Sequence, residues 1–373
     1  MASHDNDFTR LELSAPNVLS NYRYFRSRLE PSTKMLVLVK ANAYGHGAVE
    51  MASMLQQAGA DYLAVALPVE GVELREAGIS LPVIVLTSGT DFFDEIIEKR
   101  LEPGIPNLYT LEALAGKLRS LGIRDYPVHI KIDSGMHRLG FMSDEIQALC
   151  DFLAASPEVK VRSVYSHLAA AEDPAEDAYS LRQVGIFSDC ASRIERSIGY
   201  HPLWHILNSA GIERFPQYQF DMVRLGIGIY GIDPVENFSR ALKPVASLKV
   251  KILQIKHLEA SDGTIGYGRH GIIAPEGTVV ATIPAGYGDG LDRHLGCGRA
   301  SFSLNGHRVP TIGNICMDMC MLDVTGVDAK VGDTVTIFGE DPTVGEIASV
   351  LDTIPYEVLT SVPRRIRRVI IRR

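Results

Sequence analysis

The sequence predicts an α/β protein: a (β/α)8 barrel of the TIM type over residues 11–240, followed by a mostly β domain over 241–373, which residues 1–10 could join. Three observations lead there. In the first part eight short apolar runs alternate with longer amphipathic stretches, the pattern of a parallel sheet covered by helices. After about residue 240 helical spacing gives way to two-residue alternation punctuated by glycine. With 373 residues, 46% of them hydrophobic and 22% charged, the chain can pack a core in each part without a disulfide or metal staple.

The eight runs fall at residues 35–39, 62–66, 83–86, 104–108, 128–132, 161–165, 204–207 and 222–225; the fourth is Pro-flanked and the poorest. Most are short, apolar and β-branched, as strands buried on both faces are. Between them, residues 48–59 and 144–155 have helical spacing, and Gly59 is placed to end the first of these. In the second part, residues 248–255, 278–283, 308–312 and 333–338 alternate as half-buried strands do. Six arginines between Arg364 and Arg373 interleave with Ile366, Val369, Ile370 and Ile371, which fits an edge strand with a charged face better than a polyanion site.

Composition excludes several function classes. A net charge of −8 argues against a general nucleic-acid binder. No apolar stretch approaches the roughly 18 residues a membrane helix needs. The first residues, Met-Ala-Ser-His-Asp-Asn-Asp, have neither the basic nor the apolar region of a secretory signal. Of five cysteines only Cys316 and Cys320 are close, and no second cluster completes a zinc site, so no metal is expected and a reducing cytoplasm is the expected home.

In a barrel, chemistry collects at the rim where strands end and βα loops begin. Here the strand ends are polar: Lys40, Asn42, Tyr44 and His46 follow the first, Lys131, Asp133 and Arg138 the fifth, His167 the sixth, Asn208 and Ser209 the seventh, and Arg224 and Gly226 the eighth. Several cations around a Gly-rich turn suit an anionic ligand. Lys40 begins near a dry strand core, where desolvation and neighbouring cations depress an ammonium. A neutral amine there fits Schiff-base chemistry with an aldehyde; the plainer reading is a lysine that snorkels to the rim and binds an anion as a point charge. Gly226–Gly231 matches G-x-G-x-x-G, but proline follows and no βαβ unit surrounds it, so it reads as a phosphate-compatible turn and not as a dinucleotide fingerprint. In the second part Gly266-Tyr-Gly-Arg, Gly286-Tyr-Gly-Asp-Gly and Asn314-Ile-Cys-Met-Asp stand out. Taken singly, Tyr267 and Tyr287 are exposed loop aromatics and Met317 is core filling.

Together these segments resemble the alanine racemase family. Val39-Lys-Ala-Asn-Ala-Tyr-Gly-His-Gly is similar to that family's pyridoxal 5'-phosphate attachment motif. His129-Ile-Lys-Ile-Asp-Ser-Gly-Met-His-Arg-Leu-Gly, Tyr165-Ser-His-Leu-Ala, Asn208-Ser-Ala, Asp221-Met-Val-Arg-Leu-Gly-Ile-Gly-Ile-Tyr-Gly, Gly266-Tyr-Gly-Arg, Gly286-Tyr-Gly-Asp-Gly, Gly313-Asn-Ile-Cys-Met-Asp and Tyr356-Glu-Val follow in the family's order, from about residue 10 to 373. The resemblance implies a homodimer with shared active sites. It makes Lys40 the cofactor lysine and gives the phosphate to Tyr44, Ser209, Tyr356 and the amides of Gly226 and Ile227, with Asn208 beside them. Arg224 then faces the pyridine nitrogen, and His167 links it to the catalytic tyrosine. Arg138 binds near the cofactor's phenolic oxygen and the substrate, supported by Lys131, a position often carbamylated in the family. Tyr267 and Met317 come from the partner chain; Tyr287 and Asp318 line the substrate entrance. The implied reaction interconverts L- and D-alanine with two bases, Tyr267 acting on the L isomer and Lys40 on the D isomer, and supplies D-alanine for peptidoglycan.

Two segments depart from the family pattern: Ala169-Ala-Ala-Glu-Asp-Pro, where relatives carry a shorter acidic loop, and Asp292-Arg-His. The nearest alternative is a racemase of broader range, serine included. A barrel that carries the cofactor without turnover would lack the second domain and Tyr267. A metal-dependent barrel hydrolase would need more strand-end ligands than His167 and Asp133.

Overall fold

A computed structural model describes residues 8–233, 235 and 241–372. The chain divides into two compact units. One comprises Leu19–Ala43 and Ala48–Leu242; the other comprises the amino-terminal stretch up to Val18, Tyr44–Gly47 and the stretch from Lys243 onward.

The first unit is the barrel. Its strands are Lys34–Leu38, Tyr62–Val65, Val83–Val85, Glu102–Ile105, Tyr126–Lys131, Val159–Tyr165, Leu203–His205 and Met222–Leu225, all paired in parallel with their neighbours from the seventh round to the eighth. Backbone hydrogen bonds from Asp221 to Trp204 and from Arg224 to Leu207 bridge the last gap. Both faces are buried, as the near-continuous apolar runs require. The fourth strand sits two residues earlier than expected. Leu108 already belongs to the helix Leu108–Ser120, which starts there because Asn107 accepts the amide of Thr110 at 2.9 Å. Helix Ala48–Ala58 ends at Gly59, whose φ of +88° is left-handed, and the helix expected over 144–155 spans Ile146–Ala154.

The other unit is mostly β. Its largest sheet runs His307–Pro310, Ser301–Leu304, Thr334–Phe338, Ala246–Lys251, Thr9–Ser14, Arg367–Ile371 in space. Thr9–Ser14 thus lies in this sheet and extends past residue 11, where the barrel was expected to begin. Its partner Arg367–Ile371 is the edge strand read from the arginine-rich segment, paired in parallel along 10–14. The alternation over 248–255 belongs to two strands, not one. After Ala246–Lys251 the chain crosses to a second sheet, Gln254–Leu258 with Thr278–Ile283 and Cys320–Asp323, because Ile252 bonds back to Asp333 while Leu253 bonds to Thr282. Residues 234 and 236–240, at the expected domain boundary, and the last arginine lie outside the described residues.

Candidate active site

The barrel rim carries its chemistry on an unusual piece of backbone. Directly after the first strand, Ala41, Asn42, Ala43 and Tyr44 all have φ between 51° and 53°, a left-handed turn that opens at Lys40. Such a conformation costs L-residues roughly 1–2 kcal/mol each, so neighbouring groups must hold it. Glu70 holds one end of it: its carboxylate accepts the amide of Ala41 at 2.6 Å and is itself fixed by the amides of Ala66 at 2.8 Å and Leu67 at 3.1 Å at the start of its own helix, Pro68–Glu76. Asn42 accepts the amide of Ala48 at 2.9 Å, and Ala43 donates to Val39 at 2.9 Å. The Lys40 ammonium is held below its ordinary range first by burial and then by the Arg138 cation, against an opposing pull from Glu70.

Arg224, on the eighth strand, is fully enclosed. Its Nη1 donates to Nδ1 and the carbonyl of His205, each at 3.1 Å. Its Nη2 donates to His167 Nδ1 at 3.1 Å, to the Ile206 carbonyl at 2.9 Å and to the Ser166 carbonyl. Burial lowers its protonation to about 10, so it stays a cation at neutral pH. Because a guanidinium only donates, His167 and His205 must each present a bare Nδ1 and carry their proton on Nε2. Both imidazoles are held far below their usual range, by burial first and by Arg224 next. Burial, then Arg224 and Arg138, likewise push the Lys131 ammonium well down, with Asp133 opposing; its Nζ lies 4.8 Å from the centre of the Tyr165 ring. Arg138 itself is exposed, on a loop shaped by Asp133, which accepts the amides of Gly135 and His137.

At the seventh strand end Asn208 caps the helix Ser209–Arg214, accepting the Gly211 amide at 2.8 Å. Ser209 is buried, and its Oγ accepts the amides of Gly226 at 2.9 Å and Gly228 at 3.3 Å. Ile227 opens the 3-10 turn Ile227–Tyr230, which ends at Gly231, and among the described residues that follow it directly no dinucleotide-type helix begins. The barrel unit thus places Lys40, Lys131, His167, Ser209, Arg224, Gly226 and Ile227 at or just beyond the strand ends.

The β unit gathers the others in two places. Tyr44 is buried, its hydroxyl pushed up by burial and by Tyr356, and the two rings stand 5.9 Å apart. Arg368 donates to the Gly45 carbonyl at 2.6 Å, tying this segment to the carboxyl-terminal strand. Elsewhere Gly288 donates to Met317 and Tyr287 to Cys316, while Arg365 bridges Asp289 and Asp318 at 2.8 and 2.9 Å, so Tyr287, Met317 and Asp318 share one knot of loops. Asn314 joins Tyr267 to it through the tyrosine's carbonyl at 2.8 Å. Tyr267 itself is 73% exposed between Gly266 and Gly268, both at positive φ. Among the described residues no cluster of three metal-ligating side chains occurs, and no helix is long and apolar enough to cross a membrane.

Sequence reading missed Glu70, and it missed Glu102, His129, Ser163 and His205, which the structure links to Arg224. Histidines inside otherwise apolar strand runs, His129 and His205, were the available signal.

Comparison with known proteins supplies the family. The model of the alanine racemase N-terminal domain matches residues 14–234 and that of the C-terminal domain residues 245–370. The alanine racemase of Sorangium cellulosum is 39% identical over 377 residues, covering 96% of this chain and 98% of its own. Among solved structures, the alanine racemase of Clostridium difficile 630 superposes with a TM-score of 0.93 at 34% identity, over 98% of this chain and 96% of its own. That of Bartonella henselae, with covalently bound pyridoxal phosphate, does so with a TM-score of 0.87 at 28% identity, over 98% and 100%. A barrel with a lysine-bearing rim and a β unit, each matched by its own family model and both spanned by full-length relatives, has one reading: the chain is an enzyme of the alanine racemase family.

Proposed function

We propose that this enzyme interconverts L- and D-alanine with pyridoxal 5'-phosphate by a two-base mechanism, as a cytoplasmic homodimer that supplies D-alanine for peptidoglycan. The observation that carries the reading is the barrel rim, where an amine kept below its usual protonation range shares the strand ends with a fully caged guanidinium. The names of the relatives support alanine as substrate, and the Bartonella henselae protein supports the cofactor.

The residues present fit that cofactor. An aldehyde needs an amine that sheds its proton readily, which burial and Arg138 favour at Lys40. A phosphate needs donors: the Ser209 hydroxyl, already accepting two amides, keeps its own proton for an outside acceptor, and Ile227 heads its turn with an amide that has no partner within it. Lys40 would hold the aldehyde, Ser209, Gly226 and Ile227 the phosphate, and Arg224 would face the ring nitrogen. When bound, the cofactor supplies an electron sink that acidifies the substrate's Cα–H bond. Arg224 contributes a positive charge and withholds a proton, since the guanidinium does not titrate near neutrality. Lys40 Nζ takes or returns the proton on the face used by the D isomer. The Tyr267 hydroxyl of a second copy serves the opposite face, and its exposure in the single chain supports a partner-facing role, as does that of Met317 at 56%. Arg138, steadied by Lys131, binds the substrate.

Purified protein should be yellow, and borohydride reduction should fix the label on Lys40; label on any other residue overturns the assignment. With L-alanine it should form D-alanine, read by a D-amino-acid oxidase, faster than it forms the D isomer from L-serine. Tyr267→Phe should cut racemisation on the order of 10²–10⁴-fold while solvent deuterium still enters Cα of D-alanine through Lys40. Loss of that exchange as well would remove the two-base reading.

A further inference from the structure

Five successive barrel strands each contribute one buried polar side chain to a single hydrogen-bonded file. Glu102 comes from the fourth strand, His129 from the fifth, Ser163 from the sixth, His205 from the seventh and Arg224 from the eighth. The contacts are Glu102 Oε2 to His129 Nε2 at 2.7 Å, His129 Nδ1 to Ser163 Oγ at 2.6 Å, Ser163 Oγ to His205 Nε2 at 2.8 Å and His205 Nδ1 to Arg224 Nη1 at 3.1 Å. His129 and His205 are at most 1% exposed, and Ser163 is fully buried. The neighbour of His205, Trp204, packs against Phe187 of the covering helix Asp177–Ile198, so strand alternation turns His205 the other way, into the barrel.

The ends of this file fix its direction. Arg224 can only donate, so His205 accepts on Nδ1 and carries its proton on Nε2. That proton is given to Ser163 Oγ, which leaves the serine's one hydrogen for His129 Nδ1. His129 then carries its proton on Nε2 and gives it to the Glu102 carboxylate. Every donor finds one acceptor and none is left over. Reversing the Ser163–His205 link would set His205 Nδ1–H against the Arg224 Nη1–H donors across 3.1 Å, and reversing a link beyond it would leave the serine's hydrogen without an acceptor in the file. Such a buried network, fully satisfied, holds one arrangement.

We propose that Glu102, His129, Ser163 and His205 act as one relay of positioning residues that supports the His205 tautomer Arg224 requires and so keeps the Arg224 guanidinium seated. None of the four is a catalytic residue: they act through Arg224, and the proposal rests on its assignment to the site. The relay gives a buried guanidinium, which touches carbonyls and imidazoles but no carboxylate among the described residues, an ordered path to the carboxylate of Glu102.

The test uses the holoenzyme with 15N-labelled histidine. In the wild type, NMR should find His205 protonated on Nε2 with Nδ1 bare. Glu102→Leu removes the terminal acceptor and Ser163→Ala cuts the file midway. Each should shift His205 toward the Nδ1–H tautomer and lower kcat about 10–100-fold with KM within about threefold. Glu102→Gln, whose amide oxygen still accepts from His129, should keep the tautomer and rescue kcat to within about threefold. Because one file is cut twice, the double variant should be no worse than either single one. An unchanged His205 tautomer in both single variants, or losses that multiply in the double variant, would overturn the relay. If Glu102→Leu does not fold, Ser163→Ala and Glu102→Gln decide alone. A wild type that forms no D-alanine would refute the function proposed above and leave the tautomer measurement standing.

Discussion

Replacing Glu70 with alanine should damage both the stability of the barrel and the position of Lys40. Four consecutive left-handed residues cost about 4–8 kcal/mol against a relaxed turn. Glu70 offsets part of that through the Ala41 amide, a contact open to water, and it caps its own helix through a part-buried contact with Ala66 and an open one with Leu67. A hydrogen bond to a charged group is worth about 1.5–3 kcal/mol when buried and well under that when water can replace it. The sum for Glu70→Ala is therefore about 2–4 kcal/mol, measurable by urea unfolding. Lys40 opens the turn, and a shift of about 1 Å at a reacting group costs on the order of 10² in rate, so kcat/KM for L-alanine should fall at least that far. The charge adds a second, signed test. Glu70 opposes the lowering of the Lys40 ammonium, so its removal should bring the amine lower still. In apoenzyme, the pH above which added pyridoxal phosphate develops the yellow chromophore should move down. Stability within about 0.5 kcal/mol of wild type with a full turnover rate, or a pH threshold that moves up, would refute the reasoning.

Arg224→Glu should raise pyruvate formed per racemisation event, because a carboxyl group supports a protonated ring nitrogen; since the carbonyls of Ser166, His205 and Ile206 surround that position, Arg224→Gln serves as the neutral control, and an unchanged partition in both counts against the charge argument. His201 bridges Glu195 at 2.8 Å and Asp221 at 3.0 Å, which hold its imidazole above 6.5, Glu195 foremost. With the folded value raised, its contribution is complete below the unfolded value of about 6.5 and lost as pH rises through the folded one. At 52% side-chain exposure, His201→Ala should cost under about 1 kcal/mol at pH 6 and nothing measurable at pH 9; equal costs at both would contradict this. Gly45 has φ +81°, and a Cβ there would lie 2.0 Å from the Leu359 carbonyl oxygen. Gly45→Ala should lose about 2–4 kcal/mol, seen as a lower Tm, and an unaltered Tm would show the segment to be freer than drawn.

The barrel was legible because a parallel sheet leaves a plain trace: seven of the eight runs lie on their strands to within one or two residues at either end, since both faces are largely buried and mostly apolar. The fourth failed on its own terms, as Pro103 and Pro106 break the apolar run and Asn107 starts a helix inside it. The strand change near Ile252 was hidden because alternation continues while the hydrogen-bond partner changes. Rim cations could be read from their places at strand ends. Glu70 could not: its contacts with Ala66 and Leu67 cap its own helix, while the one that matters to the turn reaches Ala41, 29 residues away, and leaves no local pattern. The file from Glu102 to Arg224 links positions 102, 129, 163, 205 and 224, a set that only closure of the barrel assembles.

The rim sorts its cations by chemistry. Lys40, Lys131, Arg138 and Arg224 influence one another inside a chain of net charge −8, so their gathering is local and opposed to the overall balance. Arg138 is exposed while Lys40, Lys131 and Arg224 are at least half-enclosed, and the two residue types respond differently to burial. A guanidinium spreads its charge and keeps its proton even where burial brings it to about 10, whereas an ammonium is a point charge that desolvation removes readily. Burial therefore weighs more on the lysines, on Lys131 further than on Lys40 because it is more deeply enclosed and feels both guanidiniums. On this account the Lys40 amine is brought down by burial first and by Arg138 second. Arg138→Gln should accordingly raise the Lys40 ammonium toward its ordinary value and move the chromophore threshold of the apoenzyme up, opposite in sign to Glu70→Ala; a shift of the same sign in both variants would mean that the turn's geometry, and not the charges around it, governs the amine.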